Sequence, residues 1–143
     1  MSIANVLLVA DEVSFVETFS ERLDLRDFET SKAFSGEEAL QVLEKNSGIE
    51  VVILDVKMPG MGGIETLAEI QRKYPLVEVI MLSGHVDVAS AIEGMKQGAF
   101  DYLMKPVEMD QIIAKVTEAV SKKRQHEEKI IQARIKEITS RRA

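Results

Sequence analysis

The sequence predicts an α/β fold, one parallel sheet with helices on both faces, and three observations lead there. Short strand-like runs alternate five times with stretches of helical periodicity. Four polar residues, Asp11, Asp55, Ser83 and Lys105, follow or end four different runs. The chain has 143 residues and no cysteine, enough for one domain to bury a sizeable core without disulfide staples.

The elements follow in order. Asn5 to Ala10 (Asn-Val-Leu-Leu-Val-Ala) reads as a strand buried on both faces, followed by Asp11 and Glu12. Val16, Phe19 and Leu23 recur at i, i+3 and i+7, the stripe of a one-sided helix. Residues 29–34 make a weak strand, and Ser35-Gly36-Glu37-Glu38 is a capping-box pattern opening a helix that buries Ala39, Leu40 and Leu43. Val51 to Leu54 is the central strand, and Asp55 stands where it gives way to a loop. Pro59-Gly60 and Gly62-Gly63 force a tight turn of nearly bare backbone, leaving room above the carboxylate. Ile64, Leu67 and Ala68 mark a third helix that stops before Pro75. Glu78 to Ser83 is a fourth strand. Val88, Ala91, Ile92 and Met95 give a fourth helix its apolar stripe, closed near Gln97-Gly98. Phe100 to Met104 is a fifth strand ending at Lys105-Pro106, and Met109, Ile112, Ile113, Val116 and Val120 line a fifth helix.

Right-handed crossovers bring the carboxyl ends of parallel strands to one edge, where open α/β folds place their ligand sites. Asp11, Asp55, Ser83 and Lys105 therefore converge. Taken singly, each has a plain explanation: a helix cap, a turn-starting Asp, a strand-ending hydroxyl, a solvated surface charge. At four successive strand ends they define a site. Two nearby carboxylates need a proton or a cation between them, and oxygen-only ligands favour a hard cation, Mg²⁺, completed by water and phosphate oxygens. A lysine and a hydroxyl opposite can hold phosphoryl oxygens. This is equipment for phosphoryl transfer, with Asp55 as candidate nucleophile.

The net charge of −6 is unevenly spread. Residues 121–143 hold eight Lys/Arg against three Glu, so the first 120 residues carry −11. An acidic body does not suit a nucleic-acid surface. The N-terminus has no charged region ahead of an apolar one and no run approaches a membrane span, so the cytoplasm is the expected compartment.

The stretches Val-Leu-Leu-Val-Ala-Asp-Glu, Leu-Asp-Val-Lys-Met-Pro-Gly-Met-Gly-Gly, Met-Leu-Ser-Gly-His and Gly-Ala-Phe-Asp-Tyr-Leu-Met-Lys-Pro stand in the order and spacing of a known family. Over roughly residues 4–122 the chain resembles the receiver domain of two-component response regulators. The resemblance implies a flavodoxin-like (βα)5 sheet in strand order 2-1-3-4-5. It implies that Asp55 accepts a phosphoryl group from a sensor histidine kinase, and that Asp11, Asp55 and the Lys57 main-chain carbonyl bind Mg²⁺. It also implies that Ser83 and Lys105 hold phosphoryl oxygens and that Lys105-Pro106 is cis. Tyr102 resembles the family's switch aromatic, following the Ser83 hydroxyl and reshaping the face of helix 4, strand 5 and helix 5. Lys57 and His85 occupy positions that tune the lifetime of the phosphorylated state, and serve equally well as ordinary surface residues. One position departs: Ala10 stands where the family usually has an acid, which implies weaker Mg²⁺ binding. The domain is then a regulatory phosphoacceptor, not an enzyme acting on outside substrates.

Residues 123–143 read as a charged helical extension or linker. Ile131, Ile135 and Ile138 form one short stripe, suited to a dimerising linker or to a handle for an output domain beyond Ala143. A homodimer could equally use the face of helix 4, strand 5 and helix 5. Three rivals keep the fold. An aspartate-nucleophile phosphatase needs an acid two residues past Asp55, where Lys57 stands. A flavin or nucleotide binder needs phosphate-cradling Gly or hydroxyls in the first loop, where Asp11 and Glu12 stand. A pseudo-receiver, acting as an interaction module without phosphorylation, gains weight from Ala10 and loses it from Asp55, Ser83 and Lys105.

Overall fold

A computed structural model describes residues 2–84 and 88–142. Strands and helices alternate throughout: β1 (Asn5–Val9), α1 (Val13–Asp24), β2 (Glu29–Ala33), α2 (Gly36–Lys45), β3 (Val51–Asp55), α3 (Gly63–Lys73), β4 (Glu78–Ser83), α4 (Val88–Gln97), β5 (Asp101–Met104) and α5 (Met109–Arg142). The five strands are parallel in the order β2-β1-β3-β4-β5. This is the predicted doubly wound, flavodoxin-like sheet.

The three central strands β1, β3 and β4 are almost wholly buried because both faces are covered, whereas the edge strands β2 and β5 are more polar and more exposed. Val6, Leu8, Val51, Ile53, Ile80 and Leu82 point to one side, against Val16, Phe19 and Leu23 of α1 and Ile112 and Val116 of α5. Their neighbours Leu7, Val9, Val52, Leu54, Val79 and Met81 point to the other, against Leu43 of α2 and Leu67 and Ile70 of α3. In β3 all five residues are buried, including the charged one, Asp55. Val9 pairs with Leu54, Asp55 with Leu82, and Ser83 with Met104. The strand ends therefore stand level along one edge.

Local signals set the helix ends. Ser35 Oγ accepts from the Glu38 amide at 3.1 Å, capping α2 as its sequence predicts, and α3 stops at Lys73, ahead of Pro75. The fourth helix corrects an expectation. Its apolar stripe faces outward, with Val88 60%, Ile92 53% and Met95 45% exposed, and the residue it buries is Gly94. A Cβ on Gly94 would lie 3.5 Å from Met81 Cγ and 3.6 Å from Ile64 Cδ1, so these side chains already occupy the space under the helix. α4 rests on its smallest residue and leaves its larger ones in solvent. In α3, likewise, Ala68 is exposed, and Thr66, Leu67 and Ile70 form the buried face.

α5 runs as one helix of 34 residues. Just beyond its last core residue, Val120, three consecutive basic residues each find an acid. Arg124 donates to both oxygens of Glu50 at 2.9 and 3.0 Å and to the Ile3 carbonyl at 3.1 Å. Lys122 lies 3.3 Å from Glu78, and Lys123 lies 3.1 Å from Glu127 one turn on. Glu50, Glu78 and Ile3 all belong to the amino-terminal edge of the sheet, so the helix is tied across the end opposite Asp55. Burial pushes the Glu50 carboxyl up, but the hydrogen bond and charge of Arg124 outweigh it and hold it below the usual carboxylate range. Further on, Ile131, Ile135 and Ile138 are each more than half exposed.

Candidate functional site

Asp55 ends β3 at the carboxyl edge and is 6% exposed. An ionised group so deep needs compensation, and it has two partners. Lys105 Nζ donates to Oδ2 at 2.8 Å, and the Lys57 amide donates to Oδ1 at 3.2 Å. Lys105 follows β5, and its peptide bond to Pro106 is cis. Its amide donates to the Ser83 carbonyl at 2.7 Å, which fixes its backbone to the end of β4. Ser83 is 1% exposed, and its hydroxyl donates to the Gly84 carbonyl at 3.0 Å.

The loop after Asp55 is drawn close by Gly63, whose amide donates to the Val56 carbonyl at 2.9 Å. A Cβ on Gly63 would stand 2.5 Å from the Asp55 carbonyl oxygen and 2.6 Å from Val56 Cα, so no other residue fits without moving the backbone at Asp55 and Val56. Gly60 takes a φ of +72° in the same loop. Asp11 is exposed and lines an open cleft of about 560 Å³ with Val56, Lys57, Met58 and Gly62. It thus faces the residues that directly follow Asp55.

This donor set can be tested against Mg²⁺. The described residues contain no group of three or more Asp, Glu, His or Cys placed to hold a metal. Asp11 and Asp55 offer two carboxylates, and Lys57 a main-chain carbonyl. Mg²⁺ keeps several waters and takes one or two carboxylates with phosphate oxygens, so the set fits that ion and falls short of an all-protein cage.

Tyr102, in β5, is half-buried and flanks an open apolar groove with Ala91, Ile92 and Met95 of α4. Beside it, Asp101 accepts from the Tyr102 amide at 2.7 Å and pairs with Lys115 of α5 at 2.8 Å. Burial pushes the Asp101 carboxyl up, but Lys115 and the Tyr102 amide together hold it below the usual range. The Asp101–Lys115 pair therefore ties α5 to the strand that carries Tyr102. Lys57 is exposed, and His85 lies outside the described residues.

The structure adds two residues around the lysine. Glu12 Oε1 lies 3.7 Å from Lys105 Nζ, and the Phe15 ring centroid lies 4.6 Å from it. Glu12 carried a signal, an acid beside Asp11 after the first strand. Phe15 carried a fainter one, an aromatic in the first turn of α1 just off the stripe of Val16, Phe19 and Leu23.

The structure thus places a buried, lysine-paired aspartate at the carboxyl edge of a doubly wound parallel sheet. The response regulator receiver domain family matches residues 6–117, and the chain belongs to it. It is 34% identical over 117 residues to the DNA-binding transcriptional regulator NtrC of Escherichia coli K12, covering 81% of this chain and 25% of that protein. It is 42% identical over 105 residues to the response regulator protein FleR of Pseudomonas aeruginosa, covering 73% of this chain and 22% of that one. A crystal structure of a response regulator receiver domain protein from Clostridium thermocellum superposes with a TM-score of 0.83 at 35% identity, covering 86% of this chain and 98% of that one. The chain thus spans about a quarter of the length of these curated relatives. Among the described residues no helix is long and apolar enough to cross a membrane.

Proposed function

We propose that residues 4–122 are a phosphorylation-controlled switch in which Asp55 takes a phosphoryl group from the phosphohistidine of a sensor kinase. The observation that carries this reading is the 2.8 Å contact between Lys105 Nζ and a carboxylate buried at the sheet's edge. A carboxylate oxygen attacks phosphorus, the nitrogen–phosphorus bond breaks, and an acyl phosphate forms. Lys105 then turns its charge from the carboxylate to a phosphoryl oxygen, and Ser83 exchanges its Gly84 acceptor for another. Asp11, Asp55 and the Lys57 carbonyl would hold Mg²⁺, which supplies charge neutralisation at the transferring group. Movement of Ser83 opens the way for Tyr102 to shift toward it, altering the groove along α4. Lys57 and His85 tune how long the phosphorylated state lasts. Incubation with acetyl phosphate and Mg²⁺, followed by borohydride trapping and peptide mapping, should place the label on Asp55; a label elsewhere, or none, removes the reading.

Ala10 qualifies the metal site. It is 1% exposed and packs in the core face under α1, so the position that would carry a further acid is apolar here. Ala10→Asp is expected to tighten Mg²⁺ binding in a titration, while costing stability on the order of 1–3 kcal/mol for burying the new carboxylate. Unchanged Mg²⁺ affinity would show that Glu12 or water already completes the site.

Residues 123–143 serve as a linker, docked as far as Arg124 and projecting thereafter. A second copy of the chain is the partner proposed for the exposed isoleucines, and an output domain of the transcription-regulating kind is the proposed recipient of the signal, as the relatives' names suggest. Ile135→Lys is expected to lower the sedimenting mass toward that of a monomer; identical masses would remove the helix as the dimer surface. The chain does not read as a DNA-contacting module, since the Lys122-Lys123-Arg124 run is neutralised by its own acids.

A further inference from the structure

We propose that Phe15 is a positioning residue that holds the Lys105 ammonium at the acceptor, an inference resting on the phosphoryl-transfer reading above. A lysine head on a four-carbon stem has many places to go, and water is the default. At this edge three groups compete for it. Asp55 accepts its proton at 2.8 Å, Glu12 is at 3.7 Å with a side chain 65% exposed, and the Phe15 ring lies 4.6 Å away. The Glu12 contact is long and solvated, so it directs little. The ring is different. Its centroid distance lies within the range where the negative π face attracts an ammonium, and the Lys105 side chain is only 23% exposed, so water screens the attraction less than it would at an open surface.

Phe15 is also well fixed. Its ring packs at 4.5 Å between centroids on Phe19, which is buried, and it leans on the core face beneath α1. The cation therefore meets a surface that does not move with it. The chemistry favours such a partner over an acid. A third carboxylate would compete with an incoming phosphoryl group for the lysine's donors, whereas a π face attracts the cation without supplying a rival anionic acceptor. When Asp55 becomes an acyl phosphate it loses its own negative charge, and the ring keeps Nζ in place while the phosphoryl oxygens take over. The effect should fall on the rate of phosphorylation and spare the fold.

The test uses acetyl phosphate with Mg²⁺ on the full chain, so that no kinase surface enters. Phe15→Leu, which keeps apolar bulk and removes the ring, is expected to slow phosphorylation roughly five- to thirtyfold, and Phe15→Tyr to restore it to within about twofold. In a Lys105→Met background, Phe15→Leu should cost nothing further. Wild-type rates in Phe15→Leu, or an equal loss in the Lys105→Met background, would overturn the proposal. A second measurement stands apart from phosphorylation. In the unmodified protein the Lys105 Cε protons should show an upfield ring-current shift that Phe15→Leu removes, and its absence overturns the contact itself. Label found on a residue other than Asp55 would instead defeat the acceptor reading and leave this shift to decide the contact.

Discussion

Asp55→Asn is expected to abolish labelling by acetyl phosphate entirely while leaving the domain folded. The amide is nearly isosteric and keeps an oxygen to accept from the Lys57 amide, so the pocket around a residue 6% exposed is not emptied. On the proposed reading what is lost is the nucleophile, because an amide has no anionic oxygen to form the new bond. The substitution also removes the charge opposite Lys105, which then has Glu12 and solvent to turn to. The change in stability is accordingly expected to be modest, within about 1–2 kcal/mol. Phosphate-affinity electrophoresis and a thermal melt on the same sample read both quantities. Persistent labelling would mean that another group is the acceptor, and a collapsed melt would mean that the Lys105 pair is chiefly structural.

Gly63→Ala should have the largest effect on the fold of any change in the acceptor loop. Its new methyl would meet three backbone atoms, the Asp55 and Val56 carbonyl oxygens at 2.5 and 2.8 Å and Val56 Cα at 2.6 Å, and none can rotate away. Relief requires moving either the N-terminus of α3 or the end of β3, and the sheet holds the latter through its pairing of Asp55 with Leu82. A loss of roughly 3 kcal/mol is expected, a drop on the order of 10 °C in Tm for a domain of this size. Gly62→Ala is the matched control. The nearest atom to its added Cβ is the Val56 carbonyl oxygen at 4.0 Å, so it should melt close to wild type. Equal melting of the two variants would show that the loop yields more readily than its geometry implies.

Both variants probe features that differ in how they are written in the chain. The central strands β1, β3 and β4 were legible because burial on both faces leaves apolar runs, Val51 to Leu54 the clearest of them, while the edge strand β2, Glu-Thr-Ser-Lys-Ala, gave only a weak signal. The convergence of Asp11, Asp55, Ser83 and Lys105 on one edge followed from chain direction alone. Contact between them did not, since a 2.8 Å ion pair depends on side chains 50 residues apart. The α4 stripe shows a different limit. Periodicity identifies an apolar face without saying which way it points, and the space beneath Gly94 was filled by Met81 and Ile64, residues that belong to other elements. The pairing of Lys122 and Arg124 was not legible because their acids, Glu78 and Glu50, come from distant parts of the chain. Phe15 escaped notice because one helical position separates it from a stripe that already explained the helix.

The tie between Arg124 and Glu50 has a mechanical consequence. From that anchor to Arg142 the helix extends about 27 Å at 1.5 Å per residue, so it works as a pointer whose pivot lies at the base of the sheet. A rotation of about five degrees about that pivot would carry the tip through roughly 2 Å, comparable to the helix shifts that divide one packing arrangement from another. Any tilt of α5 at its base would thereby be magnified with distance along the helix.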